Sequence, residues 1–175
     1  MFKTLACTIA LVFALATPAP ARRLDAPTVV IVVRHAEKAA VEGSDPPLSE
    51  AGQKRAQRLA DLGEQAGVQV AYTTQFKRTR DTAQPLVDRL KIPAHAVELG
   101  RDNLAAHPAA LAREITTRHR GRTVLVVGHS NTAPRVAAAL SGKTLPDLDD
   151  ATEFDALFVV IIPDSGPARL VRAKY

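Results

Sequence analysis

The chain has 175 residues, enough for one domain with a substantial core and too few for two independent cores. Its composition, 46% hydrophobic and 23% charged, is typical of a globular protein, and 4% aromatic residues with no tryptophan disfavour platforms for stacking bases or sugars. The net charge of +5 is modest, and only residues 118–122 form a dense basic cluster, so we do not expect nucleic acid as a partner.

Residues 1–21 have the pattern of a secretory signal peptide. Lys3 precedes an apolar run over residues 4–16, and Ala19-Pro20-Ala21 forms a small-residue cleavage site, which predicts cleavage before Arg22. The apolar run is shorter than the ~20 residues that a membrane-spanning helix needs. We therefore expect a periplasmic or secreted protein with no stable membrane anchor after cleavage.

The remaining residues 22–175 are predicted to form one domain without cysteine chemistry. Cys7 is the only cysteine and lies in the predicted signal peptide. The mature chain would therefore have no disulfide, no thiol nucleophile and no cysteine metal ligand, which suits an oxidising compartment.

Apolar, β-branched residues predict two buried strands, over residues 28–33 and 123–127. The first strand ends at Arg34-His35 and the second at Gly128-His129. The segments that follow the first strand are predicted as helix 49–66 capped by Ser49, strand 68–72, helix 78–90, strand 94–97 and helix 104–118, and helix 131–140 follows the second strand.

Residues 156–162 and 168–172, separated by a turn rich in proline and glycine, predict a closing hairpin. Strands that alternate with helices predict an α/β domain with helices on both faces of the sheet. The expected fold is a three-layer α/β/α arrangement with a mostly parallel central sheet and an antiparallel edge. In such folds ligands bind beyond the carboxyl ends of the strands, so we expect Arg34, His35 and His129 to lie together there.

Four motifs in chain order carry a resemblance to a known family: V-V-R-H-A-E-K, D-P-P-L-S-E-A-G-Q, F-K-R-T-R-D-T-A and V-V-G-H-S-N-T. The sequence resembles the histidine phosphatase superfamily, with its phosphoglycerate-mutase-like fold, as a small bacterial phosphatase-type member. The resemblance covers essentially the whole mature chain. The resemblance implies that His35 is the phosphorylated histidine, that Arg34 and Arg78 bind phosphate, and that His129 is the second histidine of the pocket. Ala36 stands where the usual R-H-G motif has glycine.

These residue types suit phosphoryl transfer. A phosphate dianion is held by arginine forks without a metal, and a neutral imidazole attacks in line through its free nitrogen. We expect repulsion from Arg34 and His129 to favour neutral His35. No cofactor and no metal site are expected.

A general acid that protonates the leaving oxygen would complete the site. In the branch that the sequence resembles, this acid is a carboxylate after a strand downstream of the second arginine, which makes Glu98 and Asp102 equal candidates. Small family members that act on phosphohistidine manage without a strong acid, since imidazole leaves more readily than an alcohol.

The expected function is a metal-independent phosphohydrolase, a phosphomonoesterase or phosphohistidine phosphatase, acting on a phosphorylated small molecule or phosphoprotein through His35. The alternative is a noncatalytic phosphate-binding module with the same pocket. Outside the pocket, His95, His107 and His119 are expected at the surface, and Ser130 and Asn131 are expected to cap a helix.

Overall fold

The structure is a computed structural model that describes residues 26–175, so the predicted signal peptide and its cleavage site lie outside the described residues. The described chain contains the strands β1 (Thr28–Arg34), β2 (Val70–Thr74), β3 (Ala94–Val97), β4 (Thr123–Gly128), β5 (Ala156–Ile162) and β6 (Arg169–Lys174). Its helices are α1 (Glu50–Gln65), α2 (Lys77–Leu90), α3 (His107–Arg118) and α4 (Thr132–Ser141).

These strands form one sheet in the order β3-β2-β4-β1-β5-β6. The first four in that order are parallel, and β5 and β6 are antiparallel additions beside β1. The mostly parallel α/β fold predicted from the sequence is confirmed, with an antiparallel edge that is two strands wide.

The strand β1 lies inside the sheet and separates two apolar cores. Val30 and Val32 belong to the core under α3 and α4, whereas Ile31 and Val33 belong to the core under α1 and α2. A strand that is buried on both faces needs apolar residues without alternation, which explains the run of valine and isoleucine. Its position therefore fixes where the polar residues at its end are placed.

Several element boundaries differ from the prediction by one to three residues. β2 begins at Val70 rather than residue 68 and continues to Thr74, because its two threonines are buried in polar contacts at the strand end. α3 begins at His107 rather than residue 104, because Pro108 occupies its first turn, where a missing N–H costs nothing. No helix within residues 26–175 is long and apolar enough to cross a membrane.

The start of α1 packs against the loop that follows β1. The Ser49 side chain caps the helix by accepting a hydrogen bond from the Gly52 N–H at 3.1 Å, and the Ser49 N–H donates to the Glu37 carbonyl at 2.9 Å. A Cβ atom at Gly52 would lie well inside van der Waals distance of that same Glu37 carbonyl. Glycine is therefore required at position 52 by close approach of two backbones.

We predict that Gly52→Ala lowers the free energy of unfolding by about 2 kcal/mol, because backbone must move to admit the methyl group. Urea unfolding measures this change. Gly100→Ala is the matched control, since nothing lies within 4 Å of a Cβ there, and it should change stability by no more than about 0.5 kcal/mol. Equal effects of the two substitutions would contradict the close approach.

Candidate active site

Three segments meet at the carboxyl end of the sheet. β1 and β4 are parallel neighbours with Arg34 opposite Gly128, so the next residues, His35 and His129, emerge side by side. Their ring centroids lie 5.4 Å apart in an edge-to-face arrangement. Arg78 enters from the first turn of α2, after β2. Both histidines are buried, with 3% and 8% of their surface exposed.

A backbone carbonyl orients the His35 ring. Nδ1 of His35 lies 2.8 Å from the carbonyl oxygen of Ala36, which accepts hydrogen bonds and never donates them. In the neutral ring, Nδ1 therefore carries the proton and Nε2 keeps its lone pair. This is the tautomer that a nucleophilic Nε2 requires.

Ala36 occupies its position without backbone strain. Among residues 26–175, Lys91 is the only residue other than glycine with a positive φ, so Ala36 lies in an ordinary region. Its methyl group is fully buried beside Leu48 and Ala56. The alanine in place of the usual glycine is thus accommodated by packing.

Both histidines are held in the neutral form. Burial lowers the pKa of His35 to about 4, with repulsion from Arg34 and Arg78 as smaller causes and the Ala36 carbonyl acting in the opposite direction. Burial, followed by His35 and Arg78, lowers the pKa of His129 to about 3. Repulsion was the expected cause of neutrality, but desolvation is the larger one.

His129 is anchored through threonines. Its Nε2 lies 3.1 Å from the Thr74 hydroxyl, which in turn is 2.9 Å from the Thr79 hydroxyl. Its backbone N–H donates to the Thr132 hydroxyl at 2.9 Å. Because Nε2 is engaged by Thr74, Nδ1 is the ring nitrogen that remains for a ligand.

Arg34 is fully buried and is bound mainly by the loop before β5. Its two terminal nitrogens donate to the carbonyls of Asp149 and Asp150 at 3.0 and 2.8 Å, and one also donates to the Asp150 carboxylate at 2.8 Å. The guanidinium stacks 3.8 Å from the Phe154 ring centroid. Its Nε–H is buried and has no partner among the described residues.

Arg78 is held more loosely and faces the pocket. Its terminal nitrogen lies 3.5 Å from the Asp45 carboxylate, which also accepts from the Lys77 N–H at the start of α2. The guanidinium lies 4.3 Å from the Phe76 ring centroid. As in Arg34, the Nε–H is buried without a partner in the described part of the chain.

These side chains surround an open pocket of about 310 Å³. Its lining is basic and polar with two apolar side chains, comprising His35, Lys38, Arg78, Leu99, Leu104, His129, Asn131 and Asp150. Such a pocket offers a phosphate group positive charge, N–H donors and one neutral imidazole nucleophile.

The sequence profile of the histidine phosphatase superfamily (branch 1) matches residues 30–102, which include His35 and Arg78. This match supports membership of the histidine phosphatase superfamily. The same match supports an enzyme of the phosphatase type. A comparison with curated protein sequences found no significant match.

Several solved structures share the fold of this chain. The protein histidine phosphatase SixA in complex with tungstate is 22% identical, with a TM-score of 0.66, and the match covers 83% of this chain and 96% of SixA. The Bacillus stearothermophilus protein YhfR is 21% identical, with a TM-score of 0.62 and coverage of 82% and 95%. A putative phosphohistidine phosphatase SixA from Agrobacterium tumefaciens is 24% identical, with a TM-score of 0.59 and coverage of 85% and 99%.

The two carboxylates predicted as candidate acids do not line the pocket. Glu98 and Asp102 are exposed on the loop after β3, which contributes Leu99 and Leu104 to the lining instead. The Gln75 side chain holds that loop by two hydrogen bonds to the Leu99 backbone, at 2.8 and 2.9 Å. The role of either carboxylate as an acid stays a prediction.

Asp150 is a pocket residue that sequence reasoning missed. It is the only carboxylate among the described residues that line the pocket. The Ser130 hydroxyl and Arg34 lower the pKa of its carboxyl, so it is ionised at neutral pH. Its segment carries no motif, and only the pairing with Arg34 reveals its position.

Two polar residues beside the pocket histidines make different contacts. Glu37 binds Arg55 through both carboxylate oxygens, at 2.7 to 3.0 Å. The side chain of Asn131, at the N-cap of α4, makes no capping bond, and the Thr132 hydroxyl accepts the His129 N–H.

The prediction that His107 and His119 lie at the surface is wrong. They are 6% and 8% exposed, because His107 lies at the start of α3 against the sheet and His119 hydrogen-bonds the buried Tyr72 hydroxyl at 2.8 Å. Within residues 26–175 no group of three or more histidine, cysteine or acidic side chains is arranged to hold a metal ion.

Lowered histidine pKa values predict a pH-dependent stability. Unfolded His35 and His129 take up protons as the pH falls below about 6.5, whereas the folded rings resist protonation until about 4 and 3. The free energy of unfolding should therefore fall as the pH is lowered from 6.5 to 4. Burial also lowers the pKa of His107 and His119, which adds to the effect.

Urea unfolding between pH 7.5 and 4.5 measures this slope, and His129→Asn, which removes one of the groups, should reduce it. Ser141→Ala, which removes no titratable group, is the control and should leave the slope as it is in the wild type. A slope that His129→Asn does not change would contradict the assignment of His129 as a buried neutral ring.

Proposed function

We propose that this protein is a metal-independent phosphohydrolase that works through a phosphohistidine intermediate on His35. The observation that carries the proposal is the His35 ring, with its Nδ1 proton held by the Ala36 carbonyl and its Nε2 lone pair free at a pocket that also contains Arg78 and His129. A neutral imidazole in this tautomer is a competent nucleophile without any further base.

Arginine donors support phosphate binding, from Arg78 in the pocket lining and from the buried Arg34 at the end of β1. The Nε–H groups of Arg34 and Arg78 are buried without partners in the described residues, which is costly unless a ligand accepts from them. A phosphate oxygen would satisfy such donors, and the positive charges would stabilise the transferring phosphoryl group. His129, with its free Nδ1, would add a third contact.

The reaction then takes two displacements. Nε2 of His35 attacks phosphorus while the bond from phosphorus to the leaving atom breaks, and the leaving group takes the electron pair of that bond. Water next attacks phosphorus, the P–N bond breaks, and inorganic phosphate leaves as His35 regains its lone pair. In both steps the arginines hold the same equatorial oxygens.

The lining favours substrates with a good leaving group. Asp150 is the only described carboxylate in the pocket and is ionised by its pairing with Arg34, so it has no proton to donate at neutral pH. We infer that phosphohistidine on a protein is the better substrate class, and that a phosphomonoester with an acidic alcohol is the second. The open pocket suits a phosphoryl group presented on a protein surface. The SixA structure is described as that of a protein histidine phosphatase.

We also propose that the protein acts outside the cytoplasm, in the periplasm or as a secreted protein, because residues 1–21 have the pattern of a signal peptide. The alternative function, a noncatalytic phosphate binder, is motivated by the same lack of an acid. A binder and a phosphatase share the arginine contacts and differ only in attack by His35.

We predict that the purified mature protein hydrolyses p-nitrophenyl phosphate in the presence of EDTA, because the leaving group needs no acid and the arginines need no metal. His35→Ala should lower kcat by about 10³-fold or more, since no described side chain replaces the nucleophile. Ser141→Ala, remote from the pocket at the end of α4, is the control and should keep wild-type turnover. Full turnover by His35→Ala would overturn the proposed nucleophile.

A leaving-group series tests the missing acid. The rate of hydrolysis should fall steeply from phosphohistidine peptide and aryl phosphate to alkyl phosphate, because an unassisted alkoxide is a poor leaving group. Glu98→Gln and Asp102→Asn should leave all three rates within about twofold of wild type. If either variant slows alkyl phosphate hydrolysis by about 10²-fold and spares the aryl phosphate, that residue is the general acid.

A further inference from the structure

We propose that Thr82, a buried residue of α2, is a positioning residue that sets the tautomer of His35 through Ala36. This inference deepens the proposed function of His35 as nucleophile and rests on it. Thr82 belongs to the F-K-R-T-R-D-T-A stretch, which also contains Arg78, the proposed phosphate ligand.

The Thr82 hydroxyl makes two bonds that determine its orientation. It donates to the Arg78 carbonyl at 2.6 Å, one turn earlier in α2. A hydroxyl has one hydrogen, so its oxygen must accept the second contact, the Ala36 N–H at 3.0 Å. Thr82 is fully buried, and water has no access to replace either partner.

Ala36 is thereby held at three points around the carbonyl that orients His35. Its N–H is bound by Thr82, its methyl group packs beside Leu48 and Ala56, and the next carbonyl, that of Glu37, accepts from the Ser49 N–H. The Ala36 carbonyl between these points has little freedom to rotate. It therefore stays 2.8 Å from Nδ1 of His35.

The same hydroxyl links the nucleophile to the arginine. Because Thr82 binds the Arg78 carbonyl and the Ala36 N–H at once, the first turn of α2 and the loop after β1 are fixed relative to each other. A substrate phosphate would contact both segments. Precise spacing between attacking nitrogen and phosphate matters greatly for transfer rates.

Thr82 differs from an ordinary helical threonine. Thr116 in α3 donates to the Ala112 carbonyl at 2.9 Å, which is the same contact with the preceding turn, but among the described residues it accepts no N–H from another segment. Local bonds of this kind are common and serve only the helix. The additional partner of Thr82, 46 residues away along the chain, points to a role beyond its own helix.

The decisive experiment compares Thr82→Val, which keeps the shape and loses the hydroxyl, with Thr82→Ser, which keeps the hydroxyl. Thr116→Val is the matched control that removes only a helical bond. Nitrogen chemical shifts of ¹⁵N-labelled histidine report the His35 tautomer without substrate, and steady-state hydrolysis of p-nitrophenyl phosphate in EDTA reports kcat and KM.

We expect wild type, Thr82→Ser and Thr116→Val to show His35 protonated at Nδ1 only and to share one kcat within about twofold. In Thr82→Val the two tautomers should mix and kcat should fall about tenfold, the effect of one lost buried hydrogen bond. A folded Thr82→Val with the wild-type tautomer would overturn the proposal whatever its kcat. If Thr82→Val does not fold, Thr82→Cys, of similar volume and weaker hydrogen bonding, is judged by the same signals.

The outcome is separable from that of the proposed function. The tautomer is measured in the free protein and does not depend on turnover. A wild type without phosphatase activity would contradict the proposed function, and the NMR spectra would still test the role of Thr82. An active wild type with mixed His35 tautomers would contradict only the inference about Thr82.

Discussion

The hydrogen bond from Nδ1 of His35 to the Ala36 carbonyl is the contact on which the rest of the site depends. It determines which ring nitrogen of His35 keeps a free lone pair. The bond can do so only because the ring is buried and neutral. Burial of two imidazoles is unfavourable for stability at low pH, and the closely packed strands β1 and β4 enforce it. The fold thus keeps His35 in the neutral form that the proposed attack on phosphorus requires.

A buried arginine directly after an apolar strand also has a physical explanation. Arg34 is neutralised and hydrogen-bonded by the loop before β5, through two carbonyls, one carboxylate and the Phe154 ring. The observed partner of Arg34 is therefore the loop before β5, and in the proposed function its Nε–H also donates to the phosphate. Most of its hydrogen-bonding capacity serves the loop, which makes Arg78 the more available phosphate ligand.

Much of this arrangement could be predicted from the sequence, and the exceptions share a cause. Continuous β-branched runs predicted β1 and β4, and Ser49 predicted the start of α1, because these signals are local. The position of Asp150 in the pocket depends on a contact with Arg34 across 116 residues, and no local pattern encodes it. Burial of His119, at the end of α3, likewise depends on Tyr72 in the strand β2. The roles of the site residues in turnover remain predictions.

The most direct test of the account is to trap the phosphoenzyme. Rapid mixing of the mature protein with a ³²P-labelled substrate, followed by an alkaline quench that preserves phosphohistidine, should give label on His35 alone, attached at Nε2, since Nδ1 is held by the Ala36 carbonyl. The label should appear within one turnover and decay as phosphate is released. Absence of label at every time point, or attachment at Nδ1, would contradict the account.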